Sequence, residues 1–300
     1  MSGPRVSGPR AAWLVAADGG RRLHLQHGPI DLVIGAYGAG DDTARAYDKA
    51  WARFQDILPV LADELAELRR PLGAAHPLLR GPVARRMAAA CWPYRDVYIT
   101  PMAAVAGSVA DEILQAMLAD TRLSRAYVNN GGDIAVHLAP GEHLRAGVVC
   151  NPEHPHGDAI AVLHAAQPAR GIATSGWRGR SFSLGIADAV TVLAATAALA
   201  DAAATMIANA VDVDHPAIER QPAHALRDDS DLGALPVTVS VGVLPFFAVQ
   251  EALSRGVARA HDLRRRGLIQ AAFLSLQGAS ETVGGDDLIG TEAKTAVGQA

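Results

Sequence analysis

PVTVSVGVL, residues 236–244, alternates Val237, Val239, Val241 and Val243 with Thr238, Ser240 and Gly242. Period-two patterning of this kind marks a strand buried on one face and wetted on the other, as antiparallel sheets produce. A helical period follows at once in 246–266, and IQAAFLSLQGA (269–279) then returns to strand composition. Working outward, strands come in pairs rather than in strict alternation with helices. RAYVNNGGDIAVHLAPG (125–141) reads as strand, glycine turn, strand, with further β segments at 144–150, 159–166, 171–176 and 188–194. The amino-terminal AAWLVAADGGRRLHLQHG (11–28) reads as a hairpin around Asp18, Gly19 and Gly20, and IDLVIGAYG (30–38) as a third strand. The expected class is therefore α+β, antiparallel sheets covered by helices in one compact domain over 11–280.

Three helices complete that frame. In 43–69, Tyr47, Trp51, Phe54, Leu58, Leu61, Leu65 and Leu68 fall three or four apart on one face, with Pro59 placed to kink or divide the run. A short helix is expected over 83–91 and a longer one of small residues over 102–118. Residues 1–10, rich in Gly, Pro, Ser and Arg, read as a disordered tail, and the polar stretch from Ser280 to the end as frayed.

Composition excludes several classes. A net charge of −4 argues against nucleic acid or an anionic membrane surface as partner. Lys49 and Lys294, the only lysines, stand in no motif for a phosphate-loop or Schiff-base role. Two cysteines, Cys91 and Cys150, are too few for a disulfide framework. No leader or membrane-spanning run is apparent, so a cytoplasmic protein is expected. CNPEHPHGD (150–158) matches no zinc spacing, and GAYGAGDD (35–42) would set Asp41 and Asp42 against any phosphate. The basic run over 255–266 reads as a solvated helix face.

The candidate chemistry lies elsewhere. LADAAATMIANAV (199–211) is almost wholly alanine and aliphatic, yet Asp201, Thr205 and Asn209 recur every fourth residue along one stripe. A carboxylate and a hydroxyl one turn apart suit a hard cation such as Mg²⁺, although such a pair can equally bond backbone. Asn129, Asn130, Gly131, Gly132 and Asp133 form a turn whose glycines permit close approach to a ligand. GIATSGWRGRSFSLGIADAVTV (171–192) adds Thr174, Ser175, Gly176, Arg178 and Arg180, a set suited to a phosphate.

In the order NNGGDI, ATSG and VTVLAATAALADAAAT, these stretches resemble the ApbE-like superfamily of FAD:protein FMN transferases over roughly 97–211. The chain is similar to an uncharacterised branch of it, with PMAAVAG, NGGDI, SLGIADAVTV and ADAAAT in that order. The resemblance implies an α+β fold of two related antiparallel half-units. It also implies Mg²⁺ held by Asp201 and Thr205, with a backbone carbonyl from the small-residue helix, at Ala104, Ala106 or Gly107 and best at Ala106. Asn130, Gly131, Gly132, Asp133, Thr174, Ser175 and Gly176 would line a pocket for FAD. The implied reaction passes FMN to a hydroxyl of an acceptor protein, or cleaves FAD, with Asp201 and Thr205 as the catalytic pair. Homo-oligomers are compatible with this reading. Two departures matter. Ala106, Gly107 and Ser108 stand where the family carries Lys-Gly-Tyr, and the His-x-x-Asp-Pro stretch is absent, leaving Asp188 as a candidate polar or metal-facing substitute. They keep open an alternative: a flavin- or nucleotide-binding accessory protein of a metabolic complex, without turnover.

Overall fold

A computed structural model of the chain describes residues 8–15, 20–150, 159–285 and 289–290. The turn at 16–19, most of the 150–158 stretch and the last ten residues lie outside the described residues.

The chain opens with β1 (Arg10–Val15), β2 (Arg21–His27) and β3 (Ile30–Gly38). In β3, Leu32 and Ile34 are fully buried while Asp31 and Val33 are half-buried, which is the two-residue pleat seen in cross-section. The 43–69 run divides into α1 (Gly40–Phe54), α2 (Ile57–Asp63) and α3 (Leu65–Leu68). Pro59 accounts for the first break, because it has no N–H to donate to the carbonyl of Gln55, where α1 ends. Then come α4 (Pro82–Cys91), a 3₁₀ turn at Pro101–Ala104 and α5 (Val105–Leu118). The next strands are β4 (Leu123–Asn130), β5 (Asp133–Leu138), β6 (His143–Val148), β7 (Ala159–His164), β8 (Gly171–Ser175) and β9 (Ala189–Ala194). The alanine helix is α6 (Ala197–Ala210), followed by β10 (Ile218–Pro222), α7 (Ala223–Leu226), β11 (Pro236–Val241), α8 (Phe246–Arg265), β12 (Ala271–Leu276), β13 (Ala279–Val283) and the short β14 (Ile289–Gly290).

These elements form two compact units, one comprising 1–142, 168–173 and 194–202, the other 143–167, 174–193 and 203–300. In the first unit the strand order is β1-β2-β3-β4-β5-β8, each pair antiparallel. Its core joins Leu25, Leu32 and Ile34 of the sheet to Phe54 of α1, Met87 of α4 and Ile113 and Met117 of α5. Phe54, Leu61 and Leu68 of the predicted apolar face are buried, and Tyr47, Trp51 and Leu58 pack half-buried against that core. Glu112 of α5 sits between two arginines, taking hydrogen bonds from Arg53 Nε at 2.8 Å and Arg86 Nη1 at 2.6 Å.

In the second unit β12 lies between β9 and β13, β6 pairs with β7 and β14, and β10 pairs with β11, all antiparallel. Every residue of β12 is buried. Gly256 lets α8 close on that strand, since a β-carbon there would lie 2.7 Å from Leu274 and 2.3 Å from Val211. The helix stops in a Schellman turn, with Gly267 at φ +71°, its N–H on the Arg264 carbonyl and the Leu268 N–H on that of Leu263.

Two expectations are corrected. The polar stretch from Ser280 does not fray at once: residues 280–283 belong to β13, and Val283 is buried. A two-residue turn makes this possible, because Gln277 and Gly278 both take positive φ (47° and 82°) and return the chain along β12. Likewise Arg10 is not part of a tail but opens β1, paired with Gln26. The PVTVSVGVL strand ends at Val241, its partner β10 having no comparable signal in the sequence. Among the described residues no helix is long and apolar enough to cross a membrane.

Candidate functional site

In the first unit, β4 and β5 are joined by Gly131 and Gly132 alone, with Asn130 paired to Asp133. Both glycines have positive φ, 65° and 113°, the two-residue hairpin geometry that side chains resist. The Gly132 N–H is held by Asn129 Oδ1 at 2.8 Å, and a β-carbon on Gly132 would meet open space. The turn is thus fixed by its own asparagine while its outer surface stays bare.

Asn130 reaches from this hairpin to the start of α5, donating Nδ2–H to the Ala106 carbonyl at 3.1 Å. Asp201, in the second turn of α6, accepts the Gly107 N–H on Oδ2 at 3.0 Å. Its carboxyl also shares a hydrogen bond with the side chain of Asp133. Burial pushes Asp201 up to about 7, while the Gly107 and Asp133 hydrogen bonds oppose the rise. Asp133 is buried, but Asp201 and Ala106 remain partly exposed and Gly131 is exposed, so the pair is not sealed in a dry interior.

The start of α6 is brought here by a second acid that the sequence reading passed over. Asp111 of α5 accepts the N–H groups of Ala197 (3.1 Å) and Ala198 (2.9 Å), and Thr196 Oγ1 accepts that of Leu199 at 3.2 Å. Two free amides of the helix start are thereby satisfied by a carboxylate on a neighbouring helix. Gly107 permits this approach: a β-carbon there would stand 2.3 Å from the Ala197 carbonyl oxygen. The signal was present in Asp111 itself, an acid among the apolar residues of a close-packed helix. Cys91 is fully buried, and burial together with the nearby Asp201 raises its thiol well above the ordinary range, leaving it inert.

The donor set fits a hard cation. Asp201, Asp133 and the Ala106 carbonyl offer oxygen only, and a divalent ion would offset the charge of the two neighbouring acids. Among the described residues no group of three or more His, Cys, Asp or Glu is gathered for a metal. Such a cation would therefore complete its shell with water and ligand oxygens, the habit of Mg²⁺ rather than zinc.

Thr205 follows Asp201 by one turn of α6 but falls in the second unit, as do Thr174, Ser175 and Gly176. There Thr174 is exposed, with its hydroxyl 2.8 Å from that of Thr191, and Gly176 lies against the Asp188 backbone. Asp188 is no metal-facing substitute. Its Oδ1 takes Trp177 Nε1–H (3.2 Å) and Arg178 Nε–H (2.8 Å), and its Oδ2 takes the Gln277 N–H (2.5 Å). Asn209 is also structural: its Oδ1 accepts the Leu184 N–H at 3.0 Å and closes the segment before β9.

An antiparallel α+β scaffold presenting an acid pair beside a bare glycine turn is the class of protein observed. The family model described as "AbpE bacteria" matches residues 13–282, and the chain belongs to that ApbE family. It is 36% identical over 148 residues to a UPF0280 protein of Methanopyrus kandleri, covering 49% of this chain and 56% of that protein. A UPF0280 protein of Methanothrix thermoacetophila is 36% identical over 134 residues, covering 44% and 54%. The chain thus spans about half the length of these relatives. Among solved structures it is similar to the apo flavinyl transferase ApbE of Pseudomonas stutzeri, with TM-score 0.46 and 14% identity over 94% of this chain and 97% of that one. The ApbE protein of Thermotoga maritima gives 0.44 and 13% over 91% and 96%.

Proposed function

We propose that this protein binds a flavin nucleotide with Mg²⁺ and transfers or cleaves the FMN half of FAD. The observation that carries the reading is the convergence of Asp201, seated on the Gly107 N–H, with Asp133 and the Ala106 carbonyl that Asn130 holds. Family membership supports it. Asp201, with Asp133 and the Ala106 carbonyl, would hold the cation. The chemistry such a cation would supply is neutralisation of the pyrophosphate charge, with AMP as the leaving group. The chain's own residues position the substrate. Gly131 and Gly132 let ligand oxygens approach the backbone, and Asn130 fixes the hairpin to the Ala106 carbonyl so that both move together. A protein hydroxyl acts as acceptor.

Purified protein incubated with FAD and MgCl₂, with and without candidate acceptor proteins, should release AMP detectable by chromatography, and Asp201→Ala should abolish release. Wild type that releases none across acceptors, yet binds FAD, overturns the transferase reading. A specific observation favours that second reading, binding without turnover: Asp188 is committed to Trp177, Arg178 and Gln277 and cannot stand in for the missing motif.

A further inference from the structure

Part of the basic run on α8 borders a cavity. A cavity of about 480 Å³ in the second unit is lined by His261, Arg264, Arg265, Ile269, Gln270 and Gly285. His261, Arg264 and Arg265 stand three and four residues apart, on one stripe of the last turns of α8. The Schellman turn at Gly267 fixes where that stripe ends.

The cations are not equivalent. Arg259, Arg265 and Arg266 all pair with the single carboxylate of Asp262. Arg264 has no acidic partner among the described residues, although it is the arginine held in place by the backbone. Gly284 has φ +65°, and a β-carbon there would lie 2.4 Å from Arg264 Nε and 2.8 Å from its Cδ. The Arg264 stem therefore rests on bare glycine backbone at the open end of the β12–β13 hairpin. A guanidinium anchored in this way is a ready partner for an oxyanion. On the same wall Gln270 keeps its Oε1 buried with no hydrogen-bond donor. An unmet acceptor is costly, and turning the amide toward the cavity would let a ligand hydroxyl satisfy it.

We propose that the second unit carries a binding pocket, between the last turns of α8 and the open end of the β12–β13 hairpin, for a phosphate that retains a proton. Arg264 and Arg265 take the charged oxygens, and Gln270 accepts the remaining O–H. Sulfate has the same shape and no proton at neutral pH, so the pocket discriminates between them. The ligand is either free phosphate or a phosphomonoester. At pH 8 the monoester has lost its last proton while inorganic phosphate keeps one, so only the latter binds through all three residues. This inference goes beyond the flavin reading.

Isothermal titration of the full chain at low ionic strength, with inorganic phosphate, sulfate and phenyl phosphate in turn, tests it. Phosphate should saturate near about 1 mM, with sulfate weaker by about tenfold. Arg264→Gln should weaken phosphate by about tenfold or more, and Arg265→Gln, whose guanidinium is shared with Asp262, by less. Gln270→Leu should bring phosphate down to the level of sulfate. Asp201→Asn should leave phosphate binding unchanged, which keeps this test separate from the fate of the flavin site. Tighter phenyl phosphate binding at pH 6 than at pH 8 supports a monoester ligand, and its failure at both supports free phosphate. Absence of saturable phosphate binding in wild type, or equal binding by Arg264→Gln, overturns the pocket. Equal binding of sulfate and phosphate by wild type overturns the role of the proton.

Discussion

Replacing Gly107 by Ala tests how α5 and α6 meet. Inside a helix this change ordinarily stabilises by about 1 kcal/mol, because Gly has more freedom to lose on folding. Here the new β-carbon would stand 2.3 Å from the Ala197 oxygen, 2.5 Å from its carbonyl carbon and 2.8 Å from the Ala198 nitrogen. All three are backbone atoms, and no side chain can swing aside. Reaching ordinary contact requires the two helices to part by about 1 Å. Overpacking of this kind costs about 1–3 kcal/mol. Parting them also stretches the Asp111 bonds to Ala197 and Ala198 and the Gly107 bond to Asp201, charge-assisted bonds worth about 1.5–3 kcal/mol each when lost outright. With partial loss of these and the propensity gain deducted, the net destabilisation is about 2–4 kcal/mol. Thermal unfolding followed by circular dichroism should show Tm lower by roughly 5–12 °C. Gly40→Ala supplies the control, being the same chemical change at the start of α1 with nothing within 4 Å of the added carbon. If Gly107→Ala unfolds at or above the wild-type temperature, the close approach of the two helices is refuted, and with it the placement of Asp201.

Glu112 should give a pH signature. Burial raises its pKa, but hydrogen bonds and charge from Arg86 and Arg53 outweigh this and hold it below the ordinary 4.5. Its contribution is therefore fully present above about 4.5 and is lost as pH falls through the lower folded value. Glu112→Gln should cost about 1.5–3 kcal/mol at pH 7, with the difference from wild type vanishing in acid denaturation; a difference that grows in acid would contradict it. Asn209→Ala should cost about 1–2 kcal/mol by orphaning the Leu184 N–H, yet leave FAD binding by fluorescence titration unchanged. Asp133→Asn should abolish Mg²⁺-dependent thermal stabilisation while leaving the metal-free protein at least as stable, since an amide can donate to Asp201; Mg²⁺ protection equal to wild type would exclude Asp133 from the cation site.

What the sequence made legible was periodic or locally encoded. The face running through Phe54, Leu61 and Leu68, the division at Pro59 and the Gly131–Gly132 hairpin each follow from residues within one or two turns of each other. β10 and β13 escaped because Ile218–Pro222 is largely exposed and Ala279–Val283 is polar: both are strands by pairing rather than by burial. The stripe on α6 shows the same limit within the candidate site. Asp201, Thr205 and Asn209 share a spacing, and the spacing suggests a common purpose. The partners separate them, since Asp201 meets Gly107 and Asp133, while Asn209 closes a loop through Leu184. Those partners lie 94, 68 and 25 residues away in sequence, a separation at which no local pattern carries information. Asp111 makes the point most sharply. It touches no proposed ligand, yet its carboxylate anchors the first turn of α6 and so decides where Asp201 stands. Glycine at 107 and acid at 111 are one device on successive turns of α5: the first lets α6 come close, the second binds its exposed amides once it has.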